Sequence, residues 1–459
     1  MEQIKKENKM GTMPIPKLLF SMSIPIIISM LVQAMYNIVD SVFVAAYDNV
    51  AGTAALTLAF PIQNLMIAVA VGLAVGMNAL LSRALGQKDF ERANHIAGQG
   101  FFLTMCGYLL FLVIGLFVVV PYVSMQTGNT DNPLIAQYGV DYLSIICIGS
   151  VGVFIQVTGE RLLQATGKTV LSMVVQGAGA ITNIILDPIL IFYGGEIFGG
   201  VRGAAIATII GQLVSGALAI FLNVKYNKEI LLRLKALIPC PALLKEMLAI
   251  GIPSVLMQAI GSVMTFCMNN VLISFPRDGV TAMNVFGIYF KLQSFIFMPV
   301  FGLNNGMIPI IAYNYGARRR DRVTATMRLS IVCAVVYMLL GLAAFQLFPD
   351  QLLSIFNATP RMLEIGRVAL RRISLSFVFA GFCIVSLSAC QALGKSIYSL
   401  ITSAGRQLVI LIPVAFLLSR FGRVELVWWA FPIAEIASVI LAFIFTMRVM
   451  RKLLPKEQK

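Results

Sequence analysis

Twelve apolar stretches decide what this chain can fold into. They lie at roughly 17–46, 52–81, 95–121, 136–159, 167–193, 199–224, 244–275, 280–312, 323–347, 361–389, 396–420 and 424–450. Each is long enough to cross a bilayer core, which takes about 20 residues of helix. Several exceed 25 residues, so tilt, kinks or interfacial ends are expected. Only 12% of the 459 residues are charged and 59% are hydrophobic, whereas soluble domains run near about 25% charged. The spacing therefore predicts an all-α integral membrane protein with twelve transmembrane helices.

The basic residues give the orientation. Of 35 Lys and Arg, 25 lie on the side shared with the N-terminus and 8 on the other, with Lys291 and Arg406 inside spans. Short loops rich in Lys and Arg stay cytoplasmic, so both termini are expected in the cytoplasm. The net charge of +15 is then a topology signal, and no nucleic-acid partner is expected. Met1–Lys17 is polar, carries four lysines and has none of the features of a signal peptide. The seven cysteines are scattered without a CxxC pair, which reads as packing rather than metal ligation or a disulfide framework.

The two halves repeat each other. Ser23–Met35 parallels Gly251–Val263, Val71–Ala93 parallels Phe301–Val323, and Leu162–Ser172 parallels Ala389–Ser399. Three matches in one order mark an internal duplication. Six spans per half make the repeats parallel, with an axis along the membrane normal. The expected layout is a tail at 1–16, a six-helix lobe at 17–224, a linker at 225–243, a second six-helix lobe at 244–450 and a tail at 451–459. The pairs Gly72/Gly76 and Gly302/Gly306 are GxxxG patterns and predict close helix packing inside each bundle.

Acids inside the spans are few. Asp187 stands four residues after Asn183 and just before Pro188, so acid and amide share one helix face. The proline removes a helical hydrogen bond and lets the helix bend. A carboxylate at such depth usually faces a bundle interior or water; the plainer reading is a structural acid at a kink. In span 1, Gln33, Tyr36, Asn37 and Asp40 recur at three- or four-residue spacing and form one polar stripe. The second copy has no acid at either equivalent place, although the proline persists as Pro413. Two carboxylates in one low-dielectric cavity cannot both ionise cheaply. They should titrate together, neutralised by H⁺ or Na⁺. Thr208 could add a hydroxyl from span 6, or serve only as a helix–helix hydrogen bonder. Asp141 and Glu160 sit at the ends of span 4 and read as interfacial. Glu435, Lys291 and Arg406 are the buried ionisable groups of the second half; they could pair, or Glu435 could hold a cationic substrate. Met35, Met66, Phe154 and Met257 could wall an adaptable cavity. No phosphate loop, catalytic triad or metal-ligand cluster is visible, so neither enzymatic activity nor a cofactor is expected.

These segments together resemble the MATE (multidrug and toxic compound extrusion) family over essentially the whole chain. The resemblance is carried by Ile24–Pro25, the stripe ending at Asp40, Val71–Asp89, Gln164–Lys168, Asn183–Phe192 and Gly200–Thr208. It is nearest to the bacterial MepA-like branch. It implies two six-helix lobes in a V with a central cavity, and export of cationic amphipathic drugs in exchange for H⁺ or Na⁺ across a bacterial cell (inner) membrane, with a role in antibiotic resistance. It also implies a cation or proton site at Asp40, Asn183, Asp187 and Thr208, with Tyr36 beside it. Gln33, Asn37, Met35, Met66, Phe154, Met257, Lys291 and Glu435 are expected to line the substrate cavity. Span 7 carries only Glu246, at its end, where some family members have a further acid. The alternative is a flippase for a lipid-linked precursor, which would call for a basic cavity to hold phosphates. The expected partners are small cationic drugs and the lipid bilayer, with the protein a monomer.

Overall fold

The computed structural model describes residues 8–48, 51–127, 133–195, 199–232, 234–356 and 358–453. Within them the elements are helical. They are α1 (Lys9–Thr12), α2 (Ile15–Tyr47), α3 (Ala51–Gly86), α4 (Phe90–Val113), α5 (Val119–Thr127), α6 (Pro133–Ile148), α7 (Val151–Ala165), α8 (Thr169–Tyr193) and α9 (Gly200–Tyr226). The second half continues with α10 (Pro241–Ile273), α11 (Gly279–Gly316), α12 (Arg320–Leu347), α13 (Pro349–Ser354), α14 (Pro360–Ser374), α15 (Phe377–Ala392), α16 (Ser396–Ala404), α17 (Ile412–Ser419), α18 (Val424–Val427) and α19 (Ala430–Leu453). π-helical segments join α4 to α5 at Ile114–Val118 and α16 to α17 at Gly405–Leu411. Ten helical spans are long and apolar enough to cross a membrane. Two more arise if the bent pairs α6/α7 and α14/α15, broken by 46° and 47°, are each one span. All twelve expected stretches are thus accounted for.

The chain forms two compact units, whose limits fall inside helices α2 and α10. One takes in Ile28–Val255; the other takes in Lys9–Ile27 and the described chain from Leu256 onward. Small residues explain the division. In the first unit Gly72 and Gly76 of α3 receive the start of α10. A Cβ on Gly72 would stand 2.8 Å from the backbone nitrogen of Val255, and one on Gly76 would strike the carbonyl of Met247. In the second unit Gly302 and Gly306 of α11 receive the start of α2, with Ile27 Cα and Ser23 Cα 2.8 and 2.9 Å from the places a Cβ would take. Each GxxxG pair therefore holds a helix from the other half of the sequence.

The first unit packs around Phe111, Phe154, Tyr142, Leu143, Ile146 and Met66. Its linker is strapped down: Gln99 Nε2 of α4 donates to the carbonyls of Ala236 and Ile238 at 2.8 and 2.7 Å, and its Oε1 accepts from Cys240 N at 2.9 Å. The second unit has an aromatic core in which Phe286 lies against Phe290, Trp428 and Phe431, and Phe345 against Phe377. Its short α1 is clasped from α11 and α12, Asn314 Nδ2 and Arg322 Nη2 each donating to Met10 O at 3.0 Å.

Candidate cation site

The site belongs to the first unit and begins with the contact of α8 on α9. Gly179 and Gly211 face each other there. A Cβ on Gly179 would meet Gly211 O at 3.0 Å, and one on Gly211 would meet Gly179 O at 2.9 Å and Asn183 Cβ at 3.3 Å. Only helices this close can bring Asn183 to Thr208. Helix α8 runs unbroken through Pro188, so the proline does not end the helix that carries the acid.

Asp187 is 0% exposed, Asn183 2% and Thr208 8%. Asn183 Nδ2 donates to Asp187 Oδ1 at 3.2 Å and to Thr208 Oγ1 at 3.4 Å. Asp40, from α2, is partly buried. Asp40 and Asp187 lie within electrostatic reach of one another, and Tyr36 lies within reach of both. Three sealed oxygens have no donor among the described residues: Asp40 Oδ1, Asn183 Oδ1 and Asp187 Oδ2. An orphaned buried acceptor costs about 1–3 kcal/mol, more for a charged group, so three in one cluster mark a place built for a positive charge. Carboxylate, amide and hydroxyl oxygens are the hard donors a small cation prefers. The same carboxylates can take a proton.

Sequence reasoning missed Tyr142 and Gln63. Tyr142, buried on α6, lies within reach of Asp40, Asp187 and Tyr36. Its hydroxyl accepts from Gln63 Nε2 of α3 at 3.1 Å. The available signal was the adjacent amide pair Gln63–Asn64, two residues after Pro61 in a largely apolar span. Asp141, beside it, is held by Arg202 through two bonds of 2.8 and 3.1 Å.

The residues expected to line the cavity belong to both units. Met35 is 55% exposed and Gln33 intermediate; the Asn37 side chain lies outside the described residues. Met66 and Phe154 lie buried in the core of the first unit, Phe154 with its ring 5.9 Å from Phe111 and facing a small cavity beside Met77, Thr104 and Thr158. In the second unit Met257 Sδ accepts from Gln391 Nε2 at 3.4 Å. Lys291 is exposed, with its ammonium 5.7 Å from the Phe356 ring centre. Glu435, 5% exposed, takes Arg406 Nη1 on Oε2 at 2.9 Å, while its Oε1 stays without a donor.

A many-spanning helical protein made of two matching halves, with uncompensated acids sealed in one of them, has the build of a membrane transporter. The MatE family model matches residues 25–189 and 253–417, one copy per repeat, and the chain belongs to that family. It is 27% identical to the multidrug export protein MepA of Staphylococcus haemolyticus, over 93% of this chain and 92% of that one. It is 25% identical to an FAD transporter of Shewanella oneidensis, over 97% of each. Among solved structures, an outward-facing multidrug resistance MATE transporter matches with TM-score 0.88 at 25% identity, over 98% of this chain and 99% of that one. The MATE multidrug transporter DinF-BH matches with TM-score 0.85 at 30% identity and the same coverage.

Proposed function

We propose that this protein is a secondary active exporter of cationic amphipathic compounds, exchanged for H⁺ or Na⁺ by alternating access. The three donorless oxygens of Asp40, Asn183 and Asp187 carry this reading. Two carboxylates within electrostatic reach in a low-dielectric interior repel when both are ionised. One bound cation relieves them, so they load and unload as a pair. Asn183 orients Asp187, Thr208 supplies the hydroxyl oxygen, and Tyr36 and Tyr142 complete the polar wall. Both termini lie in the cytoplasm, and the protein works as a monomer. Export of drugs rests on the MepA and DinF-BH likeness.

A second reading is an anionic cargo. The relative named FAD transporter favours it, and a lipid-linked phosphate would be of the same chemical kind. Phosphates call for Arg and Lys donors. Of the two basic residues that the sequence analysis placed inside spans, Lys291 and Arg406, the second is committed to Glu435.

The test is ethidium efflux from cells expressing wild type, Asp40→Asn and Asp187→Asn at matched levels, under an imposed pH gradient and separately a Na⁺ gradient. Efflux by the wild type and loss in both variants is expected; the driving gradient names the ion. Full efflux by Asp187→Asn would overturn the coupling role. A silent wild type that instead moves FAD would favour the anionic reading.

A further inference from the structure

A second carboxyl group of the first unit lies outside the cluster just described. Glu160, read from the sequence as interfacial, stands on α7 against α8, partly buried between the buried amides of Gln156 and Gln176. The three side chains touch pairwise. Gln156 Nε2 is 3.0 Å from Glu160 Oε1 and 3.1 Å from Gln176 Oε1. The end of the Gln176 amide is 2.9 Å from the same Glu160 Oε1, its nearer carboxyl oxygen, and 3.3 Å from Oε2. Glu160 makes no salt bridge among the described residues.

Counting hydrogens fixes the protonation state that fits this triangle. An ionised carboxylate only accepts. Both amides would then have to turn nitrogen toward it, and their nitrogens would face each other at 3.1 Å with no acceptor. Turning either amide, or both, moves the fault to another side. Three mutual contacts cannot alternate donor and acceptor unless one atom does both. A protonated Oε1 does both: it accepts from Gln156 and donates to the Gln176 carbonyl, closing all three sides.

The group also has a definite place. Ser172, Gln176, Asn183 and Asp187 are spaced by four, seven and four residues on α8 and are all buried, so they form one polar file down a single helix face. Gln176 lies about 10 Å along the axis from Asn183, toward the end that begins at Thr169. Below it Gln164 Nε2 donates to Ser172 Oγ at 3.0 Å and Arg161 Nη1 to Gln164 Oε1 at 3.0 Å. Of the helices packed on α7, namely α3, α4, α8 and α9, none brings a charged or titratable side chain within electrostatic reach of Glu160 among the described residues. Arg161 does so from α7 itself, with its Nη1 turned to Gln164.

We propose that Glu160, closed by Gln156 and Gln176, is a second protonation site of the first unit, holding H⁺ on Oε1 and releasing it as the two amides reorient. It is a further proton station, joined through Gln176 to the α8 file that carries Asp187. That place in the cycle rests on the coupling reading above; the protonation itself does not.

The test uses the full-length protein in lipid, with infrared spectra of the protonated-carboxyl C=O stretch across a pH titration. In an Asp40→Asn/Asp187→Asn background the site predicts a band that is lost when Glu160→Gln is added. Gln176→Met, which keeps the acid but removes its acceptor, should shift the band's frequency. Spectra identical with and without Glu160→Gln would overturn the site. With Asp40 and Asp187 intact, Glu160→Gln should change the pH profile of gradient-driven efflux; an unchanged profile would remove Glu160 from the cycle. If the band is present but the wild type shows transport driven by neither H⁺ nor Na⁺, the coupling reading fails and the site stands.

Discussion

Each unit of this protein buries acid in its interior, and the two solve the cost differently. In the second unit Glu435 is met by Arg406 at 2.9 Å. In the first, among the described residues, Asp187 is met by the Asn183 amide and Asp40 has a sealed oxygen without a donor. The backbone differs to match. Helix α8 passes through Pro188 without a break, whereas the repeat's Pro413 follows a π-helical segment, Gly405–Leu411, that carries Arg406. A fixed guanidinium neutralises its acid permanently, since Arg does not lose its proton in proteins. An acid without such a partner must recruit a mobile cation. Under the proposed function, one pair is structural and the other exchanges ions.

The largest test of that contrast is Asp187→Asn beside Glu435→Gln. The first should reduce gradient-driven efflux to background while leaving the melting temperature near wild type, because no cation is orphaned. The second should lower stability by up to about 3 kcal/mol, because Arg406 loses its counter-ion. Arg406→Met with Glu435→Gln should recover much of that loss in thermal melts. Opposite results would reverse the assignment. Next is Gly211→Ala. The new methyl group meets Gly179 O at 2.9 Å, so α8 and α9 must separate. A cost of about 1–3 kcal/mol and weaker binding of the coupling ion are expected from melting and ion titration.

Thr208→Val keeps the shape and removes one oxygen. A loss of about 1 kcal/mol, or about fivefold in ion affinity, should appear in isothermal titration. The smallest effect belongs to an ion pair outside the spans. Arg361 grips Asp278 through bonds of 2.9 and 2.7 Å, and those hydrogen bonds hold the Asp278 carboxyl below its usual range. A depressed carboxyl contributes its stability above the unfolded value, about 3.9, and loses it as pH falls through the lower folded one. The pair is solvent-exposed, so Asp278→Asn should cost less than about 1 kcal/mol at pH 7 and leave efflux unchanged. Melting curves at neutral and acid pH check it.

Much of the site was legible because membrane burial makes polar residues rare. Asp40, Asn183 and Asp187 stood out against apolar neighbours, and their helical spacing put them on defined faces. Tyr142 was not legible, since a tyrosine in a span is ordinary until a neighbour such as Gln63 is seen bonded to it. Glu160 reads as interfacial in the sequence because its distance from a span end says nothing of what lies across from it. Met66 and Phe154 are buried in the first unit, and hydrophobicity alone does not say which apolar side chains pack there.

The sequence by itself determined the twelve spans, the duplication and the acids confined to one repeat. These are properties of composition and order along a single chain, and the bilayer reads them directly. Only the tertiary structure decided that α10 starts against Gly72 and Gly76, that Arg406 belongs to Glu435, and that Glu160 closes a triangle with two glutamines. Apart from Glu160 with Gln156, each of those depends on a contact between residues far apart in the chain. Such contacts are set by how closely glycine lets helices approach and by which donors and acceptors then meet, and no local pattern encodes that.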